Sequence, residues 1–462
     1  MANELELRGK RVLVIGLART GVATSLFCVE REAIVTATDS RQESEISEVV
    51  ARLRNAGVLV VFGTPAEKIF TEQDLIVPSP GVPADLPGLQ TAHSAGVTVW
   101  SEIELADRFL NGKLIGITGS NGKTTTTSLI EHILRSAGIA TVLAGNIGTP
   151  MIASVDKTRD DTVTVAELSS FQLELIESFR TNISVFLNLT PDHLDRHHTL
   201  EAYTAAKIRI FENQTEQDFA VLNADDPATT QVAPTRPRVY WFSRKQRVAQ
   251  GAYVPDAEIV FRHDGEEETI LRVEDIPLPG AHNLENVLAA VVACRLAGAS
   301  SMAIAKGVRS FAGVEHRIEF VAEIGGVRYY NDSKATNVDA TLKALDAFPG
   351  RILVVLGGKD KNSDYTVLRQ PLRDKAILAL LIGTAADKIE KQIEGSVAIE
   401  RANTLQRAVE VASHAAQPGD VVLLAPACAS FDQFQSYEHR GRVFKELVHQ
   451  LERESAGAAS GK

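Results

Sequence analysis

Residues 113–134 read KLIGITGSNGKTTTTSLIEHIL: an apolar strand, a glycine-rich turn ending in Lys-Thr, then a helix. That order of elements is what a phosphate-holding loop requires. Backbone N–H groups around Gly119, Asn121 and Gly122 can converge on an anion where Lys123 opens the helix, at the positive end of its dipole. Lys123 then reaches the β- and γ-phosphates, and Thr124 offers its hydroxyl to Mg²⁺. The spacing departs from G-x-x-x-x-G-K-[ST], which wants glycine at position 117, where this chain has Ile117. An ordinary turn with a lysine in the first helical turn is the plain alternative. Strand, turn and helix nevertheless all fall where the mechanics of phosphate binding place them.

Upstream, residues 11–15 (RVLVI) form a short apolar strand that enters GLARTG and then a helical stretch. Gly16 to Gly21 follow G-x-A-x-x-G, a variant of the dinucleotide fingerprint, and Asp39 ends the next strand, AIVTATDS, where a ribose-binding acid would sit. Such glycines also serve plain tight turns, so both readings stand at this point. DLIVPSPGVP, 74–83, adds a strand and a turn rich in proline.

Downstream, TVTVAELS (162–169) and ISVFLNLT (183–190) read as strands with polar ends. Ligands of open α/β sheets collect at the carboxyl ends of strands, so Glu167 and PDHLDRHH (191–198) are placed to share a site with Lys123. Glu167 can ligate Mg²⁺, a hard cation that takes oxygen, or merely supply the N-terminal charge of a helix in AELSSFQLE. Asp192, His193, Asp195, His197 and His198 suggest a transition-metal loop, but a solvated loop is the plainer reading. Lys207, in EAYTAAKIRIFEN, reads by default as an exposed helix lysine. DFAVLNADDP (218–227) is a further strand and turn. From Gly313 a new alternation begins, with buried strands RILVVLGG, AILALLIG and DVVLLAPA and helices such as TLQRAVEVASHAA; only the tail ESAGAASGK reads as disordered.

The fold class is therefore α/β, in three domains: a Rossmann-like domain at 1–101, a central phosphate-loop domain with a mostly parallel sheet at 102–313, and a second Rossmann-like domain at 314–462. A length of 462 residues agrees with three domains of about 150. A net charge of −11 argues against a nucleic-acid partner, whose protein would carry excess Lys and Arg. Cys28, Cys294 and Cys428 are odd in number and far apart, so neither a disulfide framework nor a zinc site is indicated. The N-terminus is charged and no apolar run approaches the roughly 20 residues of a membrane span. The chain is expected to be soluble and cytoplasmic.

Taken in order, TGSNGKTTTT, AELSSFQLE, NLTPDHLDRH, AAKIRIF, NADDP, AHNLENVLAA, GVEHRIE and NDSKATN, with SPG upstream, resemble the Mur ligase family of peptidoglycan synthesis over almost the whole chain. NDSKATN (331–337) and LAPACASFDQF (424–434) resemble its D-glutamate-adding members. The resemblance implies an ATP-driven amide synthesis in which the carboxylate of UDP-N-acetylmuramoyl-L-alanine becomes an acyl phosphate that D-glutamate then displaces. It implies ATP contacts from Gly119, Ser120, Asn121, Gly122, Lys123, Thr124, Thr125, Asn283, Asn286, Arg317, Asp332 and Lys334. Two Mg²⁺ ions are implied, the first on Thr124 and Glu167 and the second on His193 and Lys207. The family's matching lysine is carbamylated, which turns a cation into an oxygen ligand. Leu17, Ala18, Arg19, Thr20, Asp39, Arg41, Ser79, Pro80 and Gly81 are implied around the UDP moiety, with Asn146 and His193 near the reacting carboxylate. Thr336, Lys361, Ser430, Phe431 and Tyr437 match the D-glutamate pocket, and a monomer is expected. The loop KDKNSDY departs from the family, which often has an acid directly after the glycines, so the register at Lys359 and Asp360 is open.

Three other readings compete. An NAD-dependent oxidoreductase would use Gly16, Gly21 and Asp39 but leaves the phosphate loop, Glu167 and Lys207 unexplained. A phosphate-loop ATPase acting as a mechanical or regulatory module explains Lys123 but not NDSKATN. Within the resemblance, a ligase for another amino acid or a folate-glutamate ligase is the nearest alternative.

Overall fold

The computed structural model describes residues 6–63, 68–360 and 362–460, apart from the side chains of 194–195 and 456–460. Three sheets follow one another along the chain. The first contains β1 (Arg11–Ile15), β2 (Ile34–Thr38), β3 (Leu59–Val61), β4 (Leu75–Pro78) and β5 (Thr98–Val99), all parallel, in the order β3-β2-β1-β4-β5. The central sheet contains β6 (Lys113–Thr118), β7 (Thr141–Gly145), β8 (Val163–Glu167), β9 (Ile183–Phe186), β10 (Phe219–Asn223), β11 (Arg238–Ser243), β12 (Gly251–Tyr253), β13 (Glu258–His263) and β14 (Glu266–Arg272). Its order is β14-β13-β12-β11-β10-β9-β6-β8-β7. It is parallel from β7 to β12 and antiparallel across β12, β13 and β14, an extension that the sequence reading did not anticipate.

The third sheet contains β15 (Glu319–Ile324), β16 (Val327–Asn331), β17 (Ile352–Gly357), β18 (Ala376–Ile382), β19 (Ala398–Asn403) and β20 (Val421–Leu424), in the order β15-β16-β20-β17-β18-β19. Only β15 runs antiparallel. The core strands carry unbroken apolar runs because helices cover both faces: every residue of β8 and of β17 is buried. Each fully buried Val, Leu or Ile there contributes about 1.5–3 kcal/mol relative to an exposed one.

The chain packs into two compact units. One comprises residues 1–275 and 285–309 and carries the first two sheets; the other comprises 276–284 and 310–462 and carries the third. Within the first unit a single apolar cluster runs from Leu7 and Val14 through Ile103 and Leu105 to Phe186 and Leu222, so the first two sheets share a core. Glu104 adds a polar tie, its buried carboxylate accepting the N–H groups of Glu177, Ser178 and Phe179. Glu454 to Ser460, expected to be disordered, instead continue the helix Tyr437–Ser460, in which Gln450 donates to Glu454 (2.9 Å) at i, i+4, while Gly461 and Lys462 lie outside the described residues. Among the described residues no helix is long and apolar enough to cross a membrane.

Candidate active site

In the first sheet β1 lies between β2 and β4, and in the central sheet β6 lies between β8 and β9. Both are points where the strand order reverses, and a crevice opens beyond the carboxyl ends of the strands. A glycine turn follows each.

The turn after β6 is shaped from the next strand over. Asn188 and Thr190, which follow β9, hold it. Ser120 N donates to Asn188 O (3.0 Å), Asn121 N to Asn188 Oδ1 (2.8 Å), and Ser120 Oγ to Thr190 O (2.8 Å). The amides of Ser120 and Asn121 are thus committed inside the protein, contrary to the expectation that Asn121 faces the anion. Gly122 takes φ +85° as the residue before the helix Lys123–Ser136, and a Cβ there would come within 2.3 Å of Asn286 Oδ1. Glycine is required on both counts. No side chain caps this helix, so its first-turn N–H groups face the crevice. Lys123 folds back over the loop, its Nζ donating to Gly119 O (2.8 Å) and Ser120 O (2.9 Å). Thr124 and Thr125 are buried in the first turn, and Thr126 Oγ1 donates to Asn286 Oδ1 (3.2 Å).

Glu167 ends β8, in register with Ile117 on one side and Gly145 on the other. The chain leaves this strand through a capping box, Ser169 and Gln172 each bonding the other's backbone N–H, so Glu167 is held at the strand end rather than drawn into the helix. Its Oε1 accepts from Asn146 Nδ2 (2.8 Å), while Oε2 is buried with no hydrogen-bond partner among the described residues. Lys207 overturns its default reading as an exposed lysine: it is 1% exposed, on the inner face of the helix Leu200–Ile208 with Tyr203 and Ala206. Its Nζ donates to Gly119 O (2.8 Å) and lies 4.7 Å from the Tyr203 ring centroid. Burial, with the Lys123 cation next in importance, holds the Lys207 amine well below the usual lysine range.

Tyr203 was missed by the sequence reading. It sits one helical turn before Lys207, its hydroxyl bonded to Ser120 Oγ (3.2 Å), and burial pushes that hydroxyl up to about 12. The i, i+4 spacing to Lys207 was the available signal. His193 takes φ +52° and is half-exposed, its ring 5.1 Å from that of Phe171 and 6.4 Å from that of Tyr203. The histidine run divides: His197 is buried against Ser170 Oγ (2.9 Å), whereas His198 is exposed. Among the described residues no set of three or more His, Cys, Asp or Glu is grouped to hold a metal unaided. The oxygens of Thr124 and Glu167 nevertheless fit Mg²⁺, which keeps waters and takes few protein ligands. The unpartnered Oε2 of Glu167 is the observation that supports this fit.

The first-sheet turn, from Leu17 through Ala18 to Arg19 and Thr20, also leads into a helix without a side-chain cap, Arg19–Glu30. Ser79 Oγ donates to Gly16 O (2.7 Å), joining the SPG turn, with Pro80 and Gly81, to the glycine turn. Asp39 is fully engaged: Oδ2 accepts from Leu17 N (2.5 Å) and Arg41 Nη2 (2.9 Å), and Oδ1 from the N and Nε of Arg41 (2.9 Å each). The Arg41 guanidinium holds this carboxyl well below the usual range. It braces the turn, which weakens the dinucleotide reading of Asp39.

In the second unit, candidates gather at the carboxyl ends of β16 and β20. Asp332 N donates to Leu424 O (2.8 Å), and burial pushes its carboxyl up to about 7 against the opposing pull of Arg317. Lys334 Nζ is 5.8 Å from the Tyr437 ring centroid, Thr336 N donates to Lys334 O (2.7 Å), and Ser430 is buried whereas Phe431 is exposed. Asn283 bonds Pro279 O (2.7 Å) in this unit, while Asn286, one turn along the same helix, belongs to the first. Lys361 lies outside the described residues. In the departing loop, Asp360 is occupied by Lys388 Nζ (2.8 Å), Tyr365 Oη (2.8 Å) and Ser363 N (3.1 Å), and Lys359 N donates to Ala429 O (2.8 Å).

A phosphate loop and a strand-end carboxylate on the central sheet, with a buried lysine on a helix beside that loop, in a chain that carries a further α/β sheet before and after it in sequence, are the parts of an ATP-using α/β ligase. The chain belongs to the Mur ligase family: residues 10–101 match the MurD-like N-terminal domain, 117–294 the middle domain and 316–428 the glutamate ligase domain. It is 54% identical to a UDP-N-acetylmuramoylalanine–D-glutamate ligase of Acidobacterium capsulatum, over 96% of this chain and 97% of that one. A protein of the same name from Koribacter versatilis is 53% identical, over 97% and 99%. Among solved structures, a pseudomurein peptide ligase type C of Methanothermus fervidus and a UDP-N-acetylmuramate-alanine ligase of Thermotoga maritima share the fold, each at 18% identity and TM-score 0.58, covering 96% of this chain and 100% of theirs.

Proposed function

We propose that this chain joins D-glutamate to UDP-N-acetylmuramoyl-L-alanine at the expense of ATP, in peptidoglycan precursor synthesis. The observation that carries the reading is the meeting of Lys123, Glu167 and Lys207 around the crevice beyond β6 and β8. The names of the near-full-length relatives support the particular substrates. An oxygen of the alanyl carboxylate attacks the γ-phosphorus as the bond to the β-phosphate oxygen breaks and ADP leaves. The D-glutamate nitrogen then attacks the acyl carbon, phosphate departs and the amine gives up a proton. Positioning and charge neutralisation dominate phosphoryl transfer, and Lys123 with the uncapped helix N-terminus supplies both.

Mg²⁺, when bound, neutralises charge on the transferring phosphoryl group. Thr124 and Glu167 would hold one ion, with His193 and Lys207 assigned to a second. The suppressed basicity of Lys207 leaves a fraction of neutral amine able to add CO₂, releasing one proton and leaving a carbamate as an oxygen ligand. Asn146, which donates to Glu167, is assigned with His193 to the reacting carboxylate. Leu17 to Thr20, Arg41 and the SPG turn receive the uridine diphosphate. Asn283, Arg317, Asp332 and Lys334 complete the nucleotide contacts, and Thr336, Lys361, Ser430, Phe431 and Tyr437 the D-glutamate pocket. The enzyme is read as a cytoplasmic monomer.

The test is a substrate panel. Phosphate release from ATP should require both UDP-N-acetylmuramoyl-L-alanine and D-glutamate, with other amino acids, L-glutamate and folate substrates inactive. Release without the UDP substrate, or with a different amino acid, would sink the assignment.

A further inference from the structure

The first unit holds two anchor points for one long substrate: the glycine and SPG turns of the first sheet, and the phosphate loop with Glu167 and His193 of the central sheet. Arg196 connects them. Its backbone N donates to His193 O (3.0 Å), which fastens it to the histidine loop. Its guanidinium reaches the other sheet, Nη2 donating to Val82 O at 2.9 Å. Val82 N in turn donates to Ser79 O, and Ser79 Oγ to Gly16 O, so hydrogen bonds run through the SPG turn from the His193 loop to the first-sheet glycine turn.

The guanidinium is aimed by its surroundings. Nη2 also meets Glu174 Oε2 (3.1 Å), and the cation lies 5.0 Å from the centroid of the Phe171 ring. Both side chains of the Arg196–Glu174 pair are mostly covered, at 18% and 17% exposure. Glu174 faces His197 Nδ1 as well (3.4 Å), and His197 is bonded to Ser170, in the helix that begins three residues after Glu167. A covered, planar, multiply bonded arginine holds its partners in a fixed geometry that a flexible surface pair does not.

We propose that Arg196 is a positioning residue that sets the distance between the UDP anchor and the reacting carboxylate, so that binding energy gained at the nucleotide end is used at the chemical end. This rests on the functional reading above. Arg196→Gln should leave the dissociation constants of UDP and of a non-hydrolysable ATP analogue within about twofold, because neither anchor is itself altered. It should lower kcat for ligation by roughly 10–100-fold, the cost of misplacing reacting groups by about 1 Å. Glu174→Gln should show the same split more weakly, and the double variant should be no worse than Arg196→Gln, since both act through one guanidinium. Should Arg196→Gln fail to fold, Glu174→Gln carries the same comparison. An unchanged kcat, a loss of UDP or ATP binding in step with kcat, or additive losses in the double variant would overturn the proposal. Failure of the unmutated protein to bind UDP would instead overturn the functional reading on which it rests.

Discussion

The glycine turns after β1 and β6 use one device in two ways. Each follows a strand where the sheet order reverses, and each leads into a helix without a side-chain cap. They differ in the acid beside them. Both oxygens of Asp39 are taken up by Leu17 and Arg41, whereas Glu167 keeps Oε2 buried and unpartnered. The first turn is braced by side chains that follow β2 and β4, Asp39 with Arg41 and Ser79. The second is left short of positive charge at one oxygen, which is where a cation belongs.

The strongest way to break this comparison is to remove charge from the second turn. Lys123→Ala should depress kcat by roughly 10²–10³-fold, because the lost stabilisation is made chiefly in the transition state, with little change in thermal midpoint. Near-normal phosphate release by this variant would end the assignment. Lys207→Ala should be nearly inactive, with part of the rate regained in acetate, whose oxygens can stand in for a carbamate; equal rates with and without acetate would remove that role.

A smaller effect sharpens the contrast between the acids themselves. Asp39→Asn loses charge-assisted hydrogen bonds from Arg41 and Leu17 and should cost about 1–3 kcal/mol. Glu167→Gln has no partner to lose at Oε2 and should change stability by less than about 1 kcal/mol while abolishing turnover. Urea unfolding of the two variants decides this, and equal destabilisation would erase the distinction.

A change of pH carries the comparison to the third sheet. Asp39, whose carboxyl is depressed in the folded protein, contributes stability that is present above the unfolded value near 4 and is lost as pH falls below it. Asp332, raised to about 7 by burial, works the other way: its contribution is full below about 4 and is lost as pH rises through about 7. The stability difference between wild type and Asp332→Asn should therefore change between about pH 4 and 7 and level off above that, and a flat difference across this range would refute the buried-acid account.

Local patterns were readable wherever a short run of residues decides the outcome. RVLVI, TVTVAELS, ISVFLNLT and RILVVLGG became β1, β8, β9 and β17 because a buried parallel strand needs only a continuous apolar run. The antiparallel extension β12 to β14 was not seen, since EEETILR carries its charges on an exposed edge and lacks that signature. Residues 276–284 group with residues 310–462 in one compact unit, a grouping that chain order does not give.

The chain's own residues determined the glycine turns, the uncapped helix that Lys123 opens, and the placing of Glu167 at a strand end, because backbone conformation and short-range spacing suffice for each. The tertiary structure alone decided that Lys207 is buried, that Asp39 is saturated while Glu167 is not, and that Arg196 reaches Val82 across 114 residues of chain. Burial and pairing arise from segments brought together by folding, and no local pattern encodes which side chain will be left without water or a partner.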